Sequence, residues 1–148
     1  MKPATRTRRS FTVDSPAQRV ISYLKDFGNA EEWDPGTESC TRIDSGPLRV
    51  GCRWRNVSKI LGVSTELEYV LKEATDSTLV FEGRNDSATS TDTIVVTPAA
   101  DGAKIHYRAD LKMHGLAVVM APAMKLLFEK IAGDTKKQMT EVLNKLPA

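Results

Sequence analysis

Polar side chains at inward positions of alternating segments are the residues of this sequence best placed to do chemistry. They are Asn56, Ser58, Tyr69, Asp92 and Tyr107. A buried polar group without a partner costs about 1–3 kcal/mol, so several facing one interior predict either a hydrogen-bond network or a cavity with water and ligand. A desolvated aspartate has a raised pKa that suits proton transfer near neutral pH. Asp92 and Tyr107 are therefore candidate acid–base residues.

His114 is the third candidate acid–base residue. It lies between the last predicted strand and the C-terminal helix, next to Gly115, at a predicted mouth of the interior. An imidazole there has a pKa that suits acid–base work. A histidine without an orienting carboxylate is more often structural or exposed, and both interpretations stay open. The other histidine, His106, alternates onto the solvent face.

The sequence contains only 2 His and 2 Cys, so it has few residues that could form a metal site or a nucleophile–base pair. Cys40 and Cys52 are not in C-x-x-C spacing and have no nearby His, which argues against zinc and favours a free, reduced pair. The glycines of Gly46–Gly51 have P-loop spacing, but Cys52 and Arg53 follow them where that motif needs Lys and then Ser or Thr. We therefore expect no metal and no cofactor.

The composition is that of an ordinary globular protein of 148 residues, with 41% hydrophobic and 27% charged residues, and it predicts a single domain over residues 1–148. A net charge of +2 lacks the basic excess of a nucleic-acid-binding protein. No apolar segment follows the basic N-terminus, and the apolar stretch Leu116–Met124 is too short to span a bilayer. We expect a cytoplasmic protein, monomeric or homodimeric, without stable membrane insertion.

The elements that must position the candidate residues begin with an alternating strand, Thr5–Val13, and a helix. The side chain of Asp14 or Ser15 is expected to cap this helix at its N-terminus. Pro16 suits the first turn, and Gly28 is expected to end the helix.

Period-two alternation after this helix predicts six further strands with short turns between them. Connections this short require antiparallel neighbours. A C-terminal helix, Pro122–Leu146, has an apolar stripe that can cover the inward face of the sheet. The order predicts an α+β domain with its helices on one face of a curved antiparallel sheet. The six strands are Ser39–Asp44, Cys52–Ile60, Val63–Ala74, Thr78–Asn85, Ala88–Thr97 and Lys104–Met113.

Acidic residues are frequent between Asp26 and Glu38, where Glu31, Glu32 and Asp34 also lie. Their spacing does not supply the fixed oxygen cage of a calcium or magnesium site, and it predicts a solvated acidic surface. A ligand-free regulatory module that binds a partner protein through this surface is one of three functions that the sequence leaves open.

Three segments make the chain resemble a known superfamily: W-D-P-G at Trp33–Gly36, G-P-x-x-x-G-x-x-W at Gly46–Trp54, and the closing segment Leu127–Lys137. Together with the order of elements, they are similar to the START-like superfamily, above all its small bacterial polyketide cyclase/dehydrase-like branch, the SRPBCC group. The resemblance extends from about Arg6 to Leu146. It implies a helix-grip fold of the START/Bet v 1-like type. In that fold a seven-stranded curved antiparallel sheet wraps a long C-terminal helix, two short helices lie between strands 1 and 2, and a hydrophobic cavity remains inside.

The resemblance also implies a function, the binding of a hydrophobic small molecule such as a lipid or a polyketide in that cavity. An enzyme of the polyketide cyclase/dehydratase type, with Asp92, Tyr107 or His114 as acid–base groups, is the alternative. Aromatase/cyclase members of the superfamily hold the ketone chain with polar and Arg residues, whereas the inward set here contains no predicted Arg. The positions that match the family's cavity lining, and so the predicted ligand-binding residues, are Trp33, Trp54, Asn56, Tyr69, Phe81, Asp92, Tyr107, Met113, Met120, Met124 and Phe128.

Overall fold

A sheet of seven antiparallel strands positions the other elements in this computed structural model, which describes residues 4–60 and 62–146. Two short helices separate the first two strands, and the longest helix follows the last strand. The elements in chain order are β1 (Ala4–Val13), α1 (Ala17–Lys25), a 3-10 turn (Phe27–Asn29), α2 (Ala30–Trp33), β2 (Thr37–Arg42), β3 (Arg53–Ile60), β4 (Val63–Ala74), β5 (Thr78–Arg84), β6 (Ala88–Ala99), β7 (Gly102–Met113), a 3-10 segment (Gly115–Met120) and α3 (Ala121–Asn144).

The strand order is β1-β7-β6-β5-β4-β3-β2, so each strand from β2 to β7 lies beside its neighbour in sequence. The last strand, β7, also pairs with the first, β1, from Ala4 opposite Lys112 to Val13 opposite Ala103. Register shifts in β2 and β4 bend the strands locally, as β-bulges do. The predicted fold class, a seven-stranded curved antiparallel sheet with a long C-terminal helix and two short helices after β1, is confirmed.

The start of α1 differs from the sequence prediction. The N-cap is Pro16, and no side chain caps the helix. Ser15 instead donates its hydroxyl to the carbonyl of Leu143 over 2.5 Å, and the backbone N–H of Asp14 donates to the side-chain oxygen of Asn144 over 2.8 Å. The predicted capping roles of Asp14 and Ser15 are therefore wrong, because both residues connect the end of β1 to the end of α3.

The end of α1 also comes earlier than Gly28. The helix ends at Lys25 because Asp26 has an extended backbone with ψ of 100°. The carboxylate of Asp26 then accepts the backbone N–H of Gly28 and begins the 3-10 turn. This turn directs the Phe27 ring, which is 1% exposed, into the core.

Helix α3 begins at Ala121, one residue before Pro122, and packs on the inner face of the sheet. Its C-terminal half is fully sealed, since Met139 and Leu143 are both 0% exposed. Met124 and Phe128 in its N-terminal half are only half-buried, although both belong to the apolar stripe. In the described part of the chain, no helix is both long enough and apolar enough to cross a membrane. The two ends of α3 therefore have different surroundings, and only its C-terminal end completes a tight core.

Candidate functional site

A cavity of about 270 Å³ lies between the inner face of the sheet and the N-terminal half of α3. Strand alternation explains its wall, because every second residue of a strand points to the same face. From β7 this rule brings Tyr107, Ala109, Leu111 and Met113 to the cavity. The lining from the remaining elements consists of Thr7, Asp34, Gly36, Ser58, Thr65, Leu67, Tyr69, Asn85, Ser87, Ala88, Ser90, Asp92, Met124, Phe128, Ile131, Ala132 and Thr135.

Six of the eleven residues predicted to bind ligand line this cavity. Tyr69, Asp92, Tyr107 and Met113 come from the sheet, whereas Met124 and Phe128 come from α3. The alternation predicted the inward direction of the sheet residues, and the apolar stripe predicted that of the helix residues. Their side chains meet because the N-terminal half of α3 stands off from the sheet and leaves the cavity open between them.

The other five predicted residues lie elsewhere, and this corrects the sequence interpretation. Trp33, Trp54 and Phe81 are each 0% exposed within the packed core. Asn56 is buried and donates to the Thr37 hydroxyl over 3.0 Å, and its own carbonyl accepts from Ser58. The fifth residue, Met120, is exposed on the surface before α3.

An aromatic cluster explains why the three core residues do not reach the cavity. The Phe27 ring lies 4.5 Å, centroid to centroid, from the rings of both Tyr69 and Phe81. Its edge also meets Trp33 and Trp54 at 6.0 and 6.1 Å. Phe27 thus fills the end of the sheet near α1 and α2. The cavity begins only beyond Tyr69.

Asp92 and Tyr107 form a direct hydrogen bond inside the cavity. The Tyr107 hydroxyl donates to Oδ2 of Asp92 over 2.8 Å. Burial raises the pKa of Asp92 to about 7; the bond from Tyr107 opposes this rise, and the charges of Asp34 and Asp110 add to it. Burial and the nearby Asp92 charge raise the pKa of Tyr107 well above its ordinary value, so this phenol stays protonated. The pair therefore combines a carboxyl that titrates near neutrality with a fixed neutral donor.

Asp34 is a cavity residue that the sequence interpretation missed. Its predicted place on a solvated acidic surface is wrong, because its side chain lines the cavity. The carboxylate accepts the backbone N–H of Gly36 and the hydroxyl of Thr37, each over 3.0 Å. Burial raises the pKa of Asp34, and these two hydrogen bonds oppose the rise. The available signal was its position directly after Trp33, whose complete burial draws the connection toward the interior.

The neighbouring acidic residues also differ from a freely solvated surface. The carboxylate of Glu31 accepts the backbone N–H of Cys40 over 2.7 Å, and that of Glu32 accepts the hydroxyl of Tyr23. These contacts hold α2 against α1 and β2. Glu31, Glu32 and Glu38 nevertheless remain exposed, so the predicted acidic surface is present at these three residues.

His114 lies at the rim, outside the set of cavity-lining residues. Its Nε2 is 2.7 Å from the hydroxyl of Thr89, and its backbone N–H donates to the carbonyl of Ser87 over 2.8 Å. The adjacent Met113 lines the cavity, but the imidazole does not. The predicted position at the mouth of the interior agrees with this placement, whereas the acid–base role of His114 stays a prediction.

Three residues with hydroxyl groups also line the cavity and were not among the predicted ligand-binding residues. Thr7, Ser90 and Thr135 are each at most 6% exposed and line the cavity. The Oγ1 of Thr7 has no hydrogen-bond partner among the described residues. The signal for Thr7 was its alternation with Phe11 and Val13 on the inner face of β1.

The ionisable side chains that line the cavity are acidic. Among the described residues that line it, Asp34 and Asp92 are carboxylates and none is Lys, Arg or His. Within residues 4–60 and 62–146, no group of three or more His, Cys, Asp and Glu side chains is placed to hold a metal ion. Cys40 and Cys52 are both free and buried. The chemistry that the cavity offers is thus that of carboxyl, phenol and hydroxyl groups on an apolar wall.

A family model described as "Polyketide cyclase / dehydrase and lipid transport" matches residues 4–143. No curated protein matches the chain. Solved structures that resemble it include TTHA0849 from Thermus thermophilus, with 16% identity, TM-score 0.76, and 95% of this chain and 97% of that chain covered. The Zhui aromatase/cyclase from Streptomyces sp. R1128 has 11% identity, TM-score 0.76, and coverage of 96% and 94%. Ara h 8.0201 has 14% identity, TM-score 0.67, and coverage of 96% and 99%. At these identities the likeness establishes the fold, which is the helix-grip fold expected from the sequence.

Proposed function

This chain belongs to the polyketide cyclase/dehydrase and lipid transport family, and from that membership we propose that it binds a hydrophobic small molecule inside the cavity under α3. The observation that carries the proposal is the cavity itself, which remains open between the sheet and α3. Leu67, Leu111, Phe128 and Ile131 give it a mainly apolar wall. Apolar walls with a few convergent polar groups are typical of small-molecule sites.

The size of the cavity limits the ligand. Its volume of about 270 Å³ is near the lower end of the roughly 300–1,000 Å³ typical of ligand pockets. A compact molecule of one to three rings therefore suits it better than a long acyl chain. Each apolar Å² of such a molecule that leaves water contributes about 25 cal/mol.

Cavity-filling substitutions test the proposal with N-phenyl-1-naphthylamine, a neutral probe whose fluorescence rises in apolar surroundings. We expect saturable binding to the wild-type protein and at least a tenfold loss in Ala132→Phe, because Ala132 lies in the helix wall of the cavity. Ala123→Phe is the matched control, since Ala123 is exposed on the same helix. Ala109→Leu fills the cavity from the sheet side and should also lower the affinity, so it tests the proposal even if Ala132→Phe does not fold. Equal probe affinity in all four proteins would overturn the proposal.

A polyketide cyclase/dehydratase-type reaction is the second candidate function, and the Asp92–Tyr107 pair supports it. Ionised Asp92 would remove a proton from a carbon next to a ketone. The Tyr107 hydroxyl would turn from the protonated Asp92 and donate its hydrogen bond to the carbonyl oxygen. The new carbanion would attack a second carbonyl carbon of the same chain, and the proton held by Asp92 would pass to the resulting alkoxide. That hydroxyl would then leave as water, with a second proton lost from the adjacent carbon to form the double bond. Turnover of a short poly-β-ketone substrate should then disappear in Asp92→Asn, while binding of the neutral probe remains. Unchanged turnover in that variant would exclude this role for Asp92.

A further inference from the structure

We propose that the cavity selects ligands in which a protonated amine is attached to an apolar body, and that Asp34 and Asp92 bind the ammonium group. The inference rests on the proposed function, because it assigns a chemical class to the ligand of the same cavity. It goes further by excluding ligands with a carboxylate, such as free fatty acids.

The charges of the lining residues give the first reason. Asp34 and Asp92 both line the cavity, and no lining residue in the described part of the chain carries a positive side chain. Burial disfavours the ionised form of both carboxyls. Only hydrogen-bond donors favour that form, and no nearby cation does. The charge of Asp34 raises the pKa of Asp92, as expected of two like charges in one cavity. A bound cation would relieve both the repulsion and the missing solvation.

Free acceptor positions on the two carboxylates give the second reason. Asp34 uses one acceptor site on each oxygen, for Gly36 and for Thr37. Asp92 uses Oδ2 for Tyr107, and the described residues offer no hydrogen-bond donor to its Oδ1. A carboxylate can accept up to about four hydrogen bonds. An ammonium group has three N–H donors and no acceptor, so it fits the remaining sites.

The position of Thr7 gives the third and independent reason. Thr7 stands opposite Ala109 in the β1–β7 pair, and Asp92 stands opposite the same Ala109 in the β6–β7 pair. Adjacent strands are about 4.8 Å apart, so the small Ala109 side chain leaves room between Thr7 and Asp92. Thr7 is 2% exposed, and its buried Oγ1 has no partner among the described residues. A turn of the Thr7 side chain would bring this hydroxyl to a polar group of the ligand seated between them.

Three probes of similar shape test this assignment at pH 7.5 by displacement of N-phenyl-1-naphthylamine. They are 2-(1-naphthyl)ethylamine, 2-(1-naphthyl)ethanol and 1-naphthylacetate, which are cationic, neutral and anionic on one ring system. A charge-assisted hydrogen bond contributes about 1.5–3 kcal/mol, which is roughly 10- to 150-fold in affinity. We expect the amine to bind at least tenfold more tightly than the alcohol and the acid to bind most weakly.

Isosteric variants identify the residues responsible. Asp34→Asn and Asp92→Asn should each lower the affinity for the amine about tenfold and leave that for the alcohol nearly unchanged. Asp76→Asn is the matched control, because it removes the same charge from an exposed turn. Addition of 0.5 M NaCl should change amine binding by less than about threefold, since buried pairs are screened weakly.

The outcomes separate this inference from the proposed function. If the alcohol binds as tightly as the amine, or if Asp76→Asn lowers amine binding as much as the cavity variants do, the cation assignment is overturned and apolar binding stands. If a cavity variant fails to fold, the probe ranking in the wild-type protein still decides. If the neutral probe itself does not bind, the proposed function fails first.

Discussion

The Tyr107 hydroxyl donates to Oδ2 of Asp92 across the β6–β7 pair, over 2.8 Å. Asp92 stands opposite Ala109 and Tyr107 stands opposite Ile94, so the bond runs diagonally over the cavity face of the sheet. The bond fixes the carboxyl at the wall and leaves its Oδ1 without a donor among the described residues. Since burial raises the pKa of Asp92 to about 7, the charge of the cavity changes within the physiological range.

Stability should depend on pH through Asp92. Its pKa rises from 3.8 in the unfolded chain to about 7 in the folded protein, so the folded state binds this proton more tightly. Asp92 therefore lowers the free energy of unfolding as the pH rises from about 4 to about 7, and has a constant effect above that. We expect Asp92→Asn to gain about 1–4 kcal/mol relative to wild type between pH 4.5 and pH 8. Urea unfolding over this pH series measures the difference.

Asp76→Asn serves as the control for the pH series, because Asp76 lies in an exposed turn. Its unfolding free energy should follow that of the wild-type protein at every pH. Asp34, whose pKa is also raised by burial, adds a dependence of the same sign that all of these proteins share. Parallel curves for wild type and Asp92→Asn would show that Asp92 ionises normally in the folded state.

Loss of the Tyr107 hydroxyl should raise the pKa of Asp92 further. The hydrogen bond from Tyr107 favours the ionised carboxylate, and Tyr107→Phe removes it while keeping the ring. A ¹³C NMR titration of the side-chain carboxyl groups measures the pKa, and the signal missing from Asp92→Asn identifies Asp92. An unchanged or lower pKa in Tyr107→Phe would contradict the assigned donor.

Two glycines should respond in opposite ways to alanine. A Cβ at Gly83 would lie 2.6 Å from the ring of Tyr69, whose position is fixed by its contact with Phe27. A Cβ at Gly133, within α3, would meet nothing within 4 Å. We expect Gly83→Ala to lose about 1–3 kcal/mol of stability through overpacking, and Gly133→Ala to gain up to about 1 kcal/mol of helix propensity. Thermal and urea unfolding compare them, and a neutral Gly83→Ala would show that Tyr69 can move freely.

His114 should matter little for ligand binding. Its imidazole contacts Thr89 and lies outside the cavity lining. His114→Ala should therefore change the affinity for N-phenyl-1-naphthylamine by less than about twofold, since no contact with the ligand is removed. Ala132→Phe, measured in parallel, shows that the assay detects a change in the cavity. A tenfold loss in His114→Ala would place the imidazole in the site.

The fold could be predicted from the sequence because its signals are local and repeated. Six strands alternate over six or more residues, and short turns between most of them leave only antiparallel pairing. The apolar stripe of the last helix supplied the cover for the sheet. These signals give the face on which Tyr69, Asp92 and Tyr107 lie, and the structure agrees.

The sequence does not show which of the inward residues line the cavity and which pack into the core. Trp54 and Phe81 are inward like Asp92, but Phe27 packs against them at the closed end of the sheet. Which end closes depends on contacts between residues far apart in sequence. Asp34 was missed for a related reason, because its direction depends on the burial of Trp33 and on hydrogen bonds that close the following turn.

Removing the Thr7 hydroxyl should increase the stability of the protein and weaken ligand binding. A buried hydroxyl without a partner, as on Thr7, costs about 1–3 kcal/mol. Thr7→Val should therefore raise the free energy of unfolding of the ligand-free protein. The same change should weaken 2-(1-naphthyl)ethylamine binding if the hydroxyl contacts the ligand. Thr12→Val on the exposed face of the same strand controls for the strand propensity of valine. Urea unfolding and probe displacement measure the two effects. A loss of stability in Thr7→Val, with Thr12→Val unchanged, would mean that the hydroxyl already has a partner in the folded protein.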